Sequence, residues 1–267
     1  MTPTGWLQRD GVRLAVHDAG GGGRHVIFQH GLCGDARQTA EAFPPDPRLR
    51  RITLECRGHG SSDFDPKPDL GTFTEDIVTL AETLGGPVPV GGISMGAAVA
   101  LRLAVLRPDI VSHLVLVRPA WDTGAEAPAN LLPNAEVGAL LHRLPAAEAR
   151  EAFLMSETAV NLRRESPDNL ASLTGFFSRE PVFQTALLLC ALSHQPLGVT
   201  DADLATLRLP VLVCGTAHDA IHPIGLAQRL ARAIPDARYV ELPPKGQDKA
   251  AHLFALHENI THFLTET

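Results

Sequence analysis

Cysteine is scarce in this sequence, with four residues in 267, and their spacing fits neither a metal site nor a redox motif. Cys33, Cys56, Cys190 and Cys214 are scattered, and three of them lie in or beside predicted strands or their edge loops. We therefore expect structural thiols in a reducing compartment rather than disulfide bonds or a zinc site.

Long apolar runs and basic clusters are lacking as well. No apolar run approaches the roughly 20 residues that cross a bilayer, and residues 1–6 lack the basic flank and apolar centre of a signal peptide. The 23 Lys and Arg residues against 30 Asp and Glu residues give a net charge of −7 without a basic patch. We expect a cytoplasmic protein that binds a small molecule and neither nucleic acid nor membrane; homodimer formation is left open.

The chain does contain strand-like runs that alternate with helix-like segments. A hairpin is predicted at 6–9 and 12–17 around Asp10-Gly11, a dipeptide typical of two-residue turns. Further strands are predicted at 25–28, 51–56, 88–93, 113–117, 211–214 and 238–242, and helices at 74–84, 99–106, 225–233 and after residue 252. Thr72 or Thr74 is the expected cap of the helix at 74–84. This alternation predicts an α/β fold with a mostly parallel eight-stranded sheet and helices on both faces.

Residues 118–210 contain no predicted strand, although one crossover needs far fewer residues. Helices are expected there at 134–143, 146–159, 168–177 and 182–192. We therefore predict a core of residues 1–120 and 199–267 with a helical cap inserted at 121–198. Bulky apolar residues in the cap either pack its interior or line a substrate pocket, with packing the better explanation for any one of them: Phe153, Met155, Phe176, Phe177 and Phe183.

The pentapeptide Gly92-Ile93-Ser94-Met95-Gly96 lies between a predicted strand and a predicted helix. A serine at such a turn takes a strained conformation, and small residues two before and two after it let helix and strand approach. Gly-x-Ser-x-Gly alone is weak evidence in a chain with 23 glycines, but its position between strand and helix strengthens it. Ser94 Oγ is then expected at the carboxyl edge of the sheet, beside the amino end of a helix.

Three more motifs follow predicted strands: His30-Gly31, Arg57 to Ser62, and Gly215 to Pro223 around Asp219. With the Ser94 motif, their order resembles the α/β-hydrolase family over nearly the whole chain. The resemblance implies Ser94 as nucleophile and Asp219 as the acid that orients a histidine. It also implies an oxyanion hole made by the N–H groups of Met95 and of Leu32 or its neighbour. The alternative for Asp219 is a loop carboxylate that caps the next helix.

The position of the catalytic histidine is where this sequence departs from the family pattern. Gln247 stands where the resemblance leads us to expect a histidine, and an amide cannot act as a general base. His252, near the start of the last helix, is the replacement candidate, and a surface position is its alternative. His218 and His222 flank Asp219 and are weaker candidates.

The expected function is a serine-nucleophile hydrolase of a small ester or related acyl compound, with no cofactor and no metal. A carbon–carbon bond hydrolase, a lyase or a cofactor-free haloperoxidase would share the constellation. A non-catalytic ligand-binding protein that lost the histidine is the alternative from another class.

Overall fold

A computed structural model describes residues 1–124 and 126–266 and contains one eight-stranded sheet. Its strands are β1 Gly5–Arg9, β2 Val12–Asp18, β3 Arg24–Gln29, β4 Leu49–Leu54, β5 Val88–Ile93, β6 Val111–Val117, β7 Val211–Thr216 and β8 Arg238–Leu242. The spatial order is β1-β2-β4-β3-β5-β6-β7-β8. β2 is antiparallel to both β1 and β4, and the other neighbours are parallel. The predicted mostly parallel sheet is confirmed.

The β1–β2 hairpin forms as predicted. Asp10 and Gly11 have φ of 51° and 76°. Both are in the left-handed region, as the two central residues of a type I′ hairpin turn must be. The two strands add an antiparallel edge to the parallel core.

Helices of the core cover both faces of the sheet. They are α1 Ala36–Ala42, α2 Leu70–Thr83, α3 Met95–Leu106, α10 Ile224–Ala233 and α11 Lys249–Glu266. α1 and α11 pack with Val26 and Phe28 of β3, while α2, α3 and α10 share the cluster that contains Ile27 of the same strand. Successive side chains of a strand point to opposite faces, so these two clusters lie on opposite sides of the sheet.

Two helix starts differ from the sequence-based expectation. α2 begins at Leu70, because the Asp69 carboxylate accepts a hydrogen bond from Thr72 N; neither Thr72 nor Thr74 is the cap. α1 was not predicted, because its seven residues are too few for a clear apolar period. The Asp35 side chain caps it through Arg37 N.

Between β6 and β7 the described residues form helices only: α4 Leu132–Arg143, α5 Ala146–Leu154, α6 Glu157–Glu165, α7 Pro167–Gly175, α8 Val182–Ser193 and α9 Asp201–Leu204. The single helix predicted at 146–159 is two helices, because Ser156 caps a new one at Ala159 N. Phe153 and Phe177 are buried with ring centroids 5.7 Å apart, whereas Met155 and Phe183 are exposed. The division into core and cap at residues 121 and 198 stays a prediction.

Candidate active site

Ser94 occupies a sharp turn between β5 and α3. Its φ of 56° and ψ of −111° are strained for a residue other than glycine. A Cβ at Gly92 would lie 2.5 Å from the carbonyl carbon of Gly96, and a Cβ at Gly96 would collide with the Gln29 carbonyl. The strained serine and the need for both glycines are therefore confirmed.

The loop after β3 lies directly against this turn. A Cβ built on Gly31 would be 3.4 Å from Ser94 Cβ, and Gly31 N donates to Gln38 Oε1 at 2.6 Å. Within residues 1–124 and 126–266, the N–H groups of Leu32 and Met95 have no protein acceptor. Met95 is the next residue after Ser94, and Leu32 lines the same cavity as Ser94, so these two N–H groups are the candidates for an oxyanion hole.

Two buried histidines connect the loop after β3 with the loop after β4. His30 Nε2 accepts from Cys56 N and His59 Nε2 accepts from Cys33 N, both at 3.0 Å. Burial lowers the pKa of both imidazoles, which keeps them neutral and able to accept. Burial also raises the pKa of the Cys33 thiol to about 12, so the thiol stays protonated at neutral pH and is a poor nucleophile.

Asp219, in the loop after β7, is buried and has a partner on each oxygen. Oδ1 accepts from His222 N at 3.0 Å and from His222 Nδ1 at 2.9 Å. Oδ2 accepts from Arg118 Nε at 2.8 Å and from Arg118 Nη2 at 2.5 Å. Burial is the largest single influence and raises the pKa of Asp219, but His222 and Arg118 together outweigh it and hold the pKa well below its usual value. The carboxylate is therefore ionised.

His222 lines the same cavity of about 110 Å³ as Ser94. His222 Nδ1 is 2.9 Å from Asp219 Oδ1 and 3.2 Å from Arg118 Nη2. The carboxylate contact is the shorter, and an ionised carboxylate can only accept, so we assign the proton to Nδ1 and leave Nε2 as the basic nitrogen. Burial lowers the pKa of His222, and the charges of Arg118 and Lys245 lower it further against the opposing effect of Asp219. The ring is thus neutral at neutral pH, the state that a general base needs.

His252 lines a neighbouring cavity, which shares Arg118 and Lys245 with the Ser94 cavity. It is buried, which excludes the surface alternative, and its Nδ1 is 2.8 Å from the Pro243 carbonyl oxygen. It lines a smaller cavity of about 40 Å³ next to Arg118 and Lys245. In the described chain, no hydrogen bond joins His252 to Asp219 or Ser94. Burial, followed by the charges of Arg118 and Lys245, lowers its pKa.

Gln247, at the position where a histidine was expected, is exposed. It borders a separate cavity with His218 and Asp168, which Ser94 does not line. Gln247 thus differs from the expected histidine in residue type, and it does not line the Ser94 cavity.

Arg118 was not predicted as a site residue, although a signal existed. It directly follows β6, and the register Ile93↔Val117 places it beside Ser94 at the carboxyl edge of the sheet. Its φ of 48° is in the left-handed region, and its guanidinium borders both the Ser94 cavity and the His252 cavity. Parallel strands place the residues that follow them at one edge, and that rule applies to Arg118 as it does to Asp219.

The cap helices hold the loop that carries Asp219 and His222. Asn169 Oδ1 accepts from Ala220 N at 2.7 Å and from Ile221 N at 3.2 Å, and Ser166 Oγ accepts from Ala220 N at 3.1 Å. Periodicity cannot reveal such contacts, since they join residues about 50 positions apart. They connect the loop after β7 to the start of α7.

No group of three or more His, Cys, Asp and Glu side chains within residues 1–124 and 126–266 is arranged to bind a metal ion. Across the same residues, every helix is too short or too polar to traverse a bilayer.

The fold and the turn at Ser94 define a class of protein, and comparison with known proteins gives the same class. The family model for the alpha/beta hydrolase fold matches residues 24–248, so the chain belongs to this family and is an enzyme of the alpha/beta hydrolase class. Two relatives are each 30% identical: a protein named as the non-heme bromoperoxidase BpoC of Mycobacterium tuberculosis and one named as the carbamate hydrolase RutD of Caulobacter sp. strain K31. The first match covers 88% of this chain and 90% of BpoC, and the second covers 89% of this chain and 88% of RutD. The enol-lactonase of Burkholderia xenovorans LB400 has the same fold, with a TM-score of 0.73, 23% identity and coverage of 98% of this chain and 100% of that one.

Proposed function

We propose that the protein is a serine hydrolase that cleaves a small ester or related acyl compound between the core and the cap at 121–198. Ser94 Oγ would attack the acyl carbon, and the N–H groups of Leu32 and Met95 would bind the oxyanion. The alcohol would leave with the proton taken from Ser94, and water would then release the acid from the acyl-enzyme. Support comes from one observation above others: the Asp219–His222 pair adjoins the cavity that Ser94 also lines.

We propose His222 as the base of this site. Its Nδ1 is held by a buried carboxylate, its Nε2 is free of protein partners in the described chain, and its pKa is lowered. His252, the base expected from the sequence, remains the second candidate. Both oxygens of Asp219 already have partners, so His252 would have to compete with His222 or with Arg118 for the carboxylate.

Labelling with a fluorophosphonate tests the nucleophile. Wild type should be labelled and Ser94→Ala should not. Ser172→Ala is the matched control, because Ser172 lines the same cavity and should be dispensable for labelling. Equal labelling of wild type and Ser94→Ala would refute the assignment, and no labelling of either protein would favour the non-catalytic binder.

The base is tested by the labelling rates of His222→Gln and His252→Gln at pH 7.5. Loss of a triad base costs roughly 10³-fold or more, so we expect a drop of that order for His222→Gln and a small change for His252→Gln. The reverse order would assign the base to His252. Far-UV circular dichroism and thermal unfolding of both variants show whether a loss reflects misfolding.

The identity to BpoC supports one second candidate, a cofactor-free haloperoxidase. Bromination of an activated diketone with bromide and hydrogen peroxide, compared in wild type and Ser94→Ala, tests it. Bromination that depends on Ser94 would favour this reaction, and none above the enzyme-free rate would exclude it.

A further inference from the structure

We propose that the substrate of the Ser94 site carries a carboxylate, which binds between Lys245 and Arg118. This inference rests on the proposed hydrolase function and adds the chemical class of the substrate. It is carried by the charges of the cavity wall and by an N–H donor of Arg118 that has no acceptor among the described residues.

Among the described residues, the wall of the Ser94 cavity contains two cationic side chains, Arg118 and Lys245, and no carboxylate. The charge of Arg118 is neutralised by its ion pair with Asp219, which does not itself line the cavity. Among the described residues no carboxylate is within ion-pairing distance of half-buried Lys245. The neighbouring imidazole of His222 is neutral, as its lowered pKa requires. The cavity therefore has one uncompensated positive charge beside the serine.

Arg118 also has a donor to spare. Its Nε and Nη2 are directed at Asp219, while Nη1 has no acceptor in the described chain. A carboxylate can accept from such a guanidinium nitrogen and from an ammonium group at once, and charge-assisted bonds of this kind are the strong ones. Water in a cavity of about 110 Å³ would solvate Lys245 less well than bulk solvent does, which favours an anionic ligand.

An independent observation indicates that the ligand is polar. Asn134 of α4 is 5% exposed and lines the cavity, yet its Oδ1 has no hydrogen-bond partner among the described residues. A buried amide oxygen without a donor is costly, and a hydroxyl or N–H group of the ligand, or water, would satisfy it. The carboxylate itself can only accept, so Lys245 and Arg118 are its partners and Asn134 Oδ1 is not.

The test compares monomethyl succinate with methyl butanoate, two methyl esters of the same chain length that differ in the distal carboxylate. Hydrolysis of each consumes one water and releases methanol and one proton, so proton release measures both. We expect kcat/KM of wild type to be roughly 10-fold or more higher for monomethyl succinate, the effect of one bond to a charged group. Lys245→Met should bring the ratio of the two kcat/KM values close to one, and Lys245→Arg should retain most of it.

Lys249→Met is the matched control. Lys249, the first residue of α11, is exposed and forms an ion pair with Glu41. It lines neither the Ser94 cavity nor the His252 cavity, so its loss should leave the ratio of the two kcat/KM values unchanged. Equal kcat/KM for the two esters in wild type, or a ratio that survives Lys245→Met, would overturn the anionic substrate while the hydrolase stands.

Failure of the hydrolase itself gives a different result. If neither ester is cleaved in a Ser94-dependent way, titration calorimetry of Ser94→Ala with monomethyl succinate and with methyl butanoate still tests the carboxylate site. Binding of the anion alone, lost in Lys245→Met, would support the site without the reaction. Binding of neither would reject it.

Discussion

Arg118 and Asp219 form a buried ion pair in which both Nε and Nη2 of the guanidinium donate to one carboxylate oxygen, at 2.8 and 2.5 Å. The other oxygen is thereby left to His222. Since Arg118 follows β6 and Asp219 follows β7, the pair also joins two neighbouring strand ends beneath the Ser94 cavity. The ion pair thus keeps Asp219 ionised and orients its other oxygen toward His222.

Arg118→Met should therefore destabilise the protein and slow labelling of Ser94. The side chains of Arg118 and Asp219 are 11% and 4% exposed, and removal of one partner of a buried pair costs about 3–5 kcal/mol. Urea unfolding measures this loss. Arg118→Lys, which keeps the charge but not the two-donor geometry, should be intermediate. A loss below 1 kcal/mol for Arg118→Met would mean that His222 alone satisfies the carboxylate.

Gly96→Ala should destabilise the turn that presents Ser94. The added methyl would lie 2.6 Å from the Gln29 carbonyl carbon, and forced overpacking costs about 1–3 kcal/mol. Gly225→Ala is the matched control, because this glycine also lies in the first turn of a helix, α10, but has open space around it. The control should be neutral or slightly stabilising. Equal effects of the two substitutions on the urea midpoint would refute the packing argument.

Gln247→His should not restore labelling to a His222→Gln variant. Gln247 is exposed and borders a cavity that Ser94 does not line, so an imidazole there would lie outside the site. The labelling rate of the double variant should match that of His222→Gln. Recovery to a substantial part of the wild-type rate would show that the loop after β8 can deliver a base.

The sequence allowed the fold and one half of the site to be predicted. Strand periodicity and the motif after each strand were enough to place Ser94, the His30-Gly31 loop and Asp219 at one edge, because parallel strands end together. The partner of Asp219 could not be derived in this way. Whether it bonds to His222 or His252 depends on the path of two loops and on the side chain of Arg118, and neither leaves a periodic signal. Asn134 and Asn169 were missed for a related reason, since cap helices meet the core through tertiary packing alone.

The pH dependence of kcat/KM should show a base with a lowered pKa. His222 must be neutral to accept the proton of Ser94, so activity falls as the pH drops through its pKa in the free enzyme. Burial and the cations Arg118 and Lys245 lower that pKa, against the effect of Asp219, so the acid midpoint should lie below the ordinary value of about 6.5. Lys245→Met removes one cation and should move the midpoint upward. A wild-type midpoint above 6.5 would contradict this environment.

Folding stability should also fall below about pH 6.5, because buried histidines have lowered pKa values in the folded protein. Burial lowers the pKa of His30, His59, His222 and His252 in the folded protein, whereas the unfolded chain takes up these protons near pH 6.5. Their effect is therefore constant above about pH 7 and destabilises the protein as the pH falls below about 6.5, by up to roughly 1.4 kcal/mol per pH unit for each imidazole that stays neutral.

Urea unfolding between pH 7.5 and 5.5 measures the number of protons taken up on unfolding. We expect between two and four at the acid end, with His30 and His59 as the minimum, since each accepts a backbone N–H through Nε2 and cannot be protonated there without losing that bond. Stability that does not change down to pH 5.5 would mean that the buried histidines bind protons in the folded state. The inference that neutral His30 and His59 hold the loops after β3 and β4 together would then be wrong.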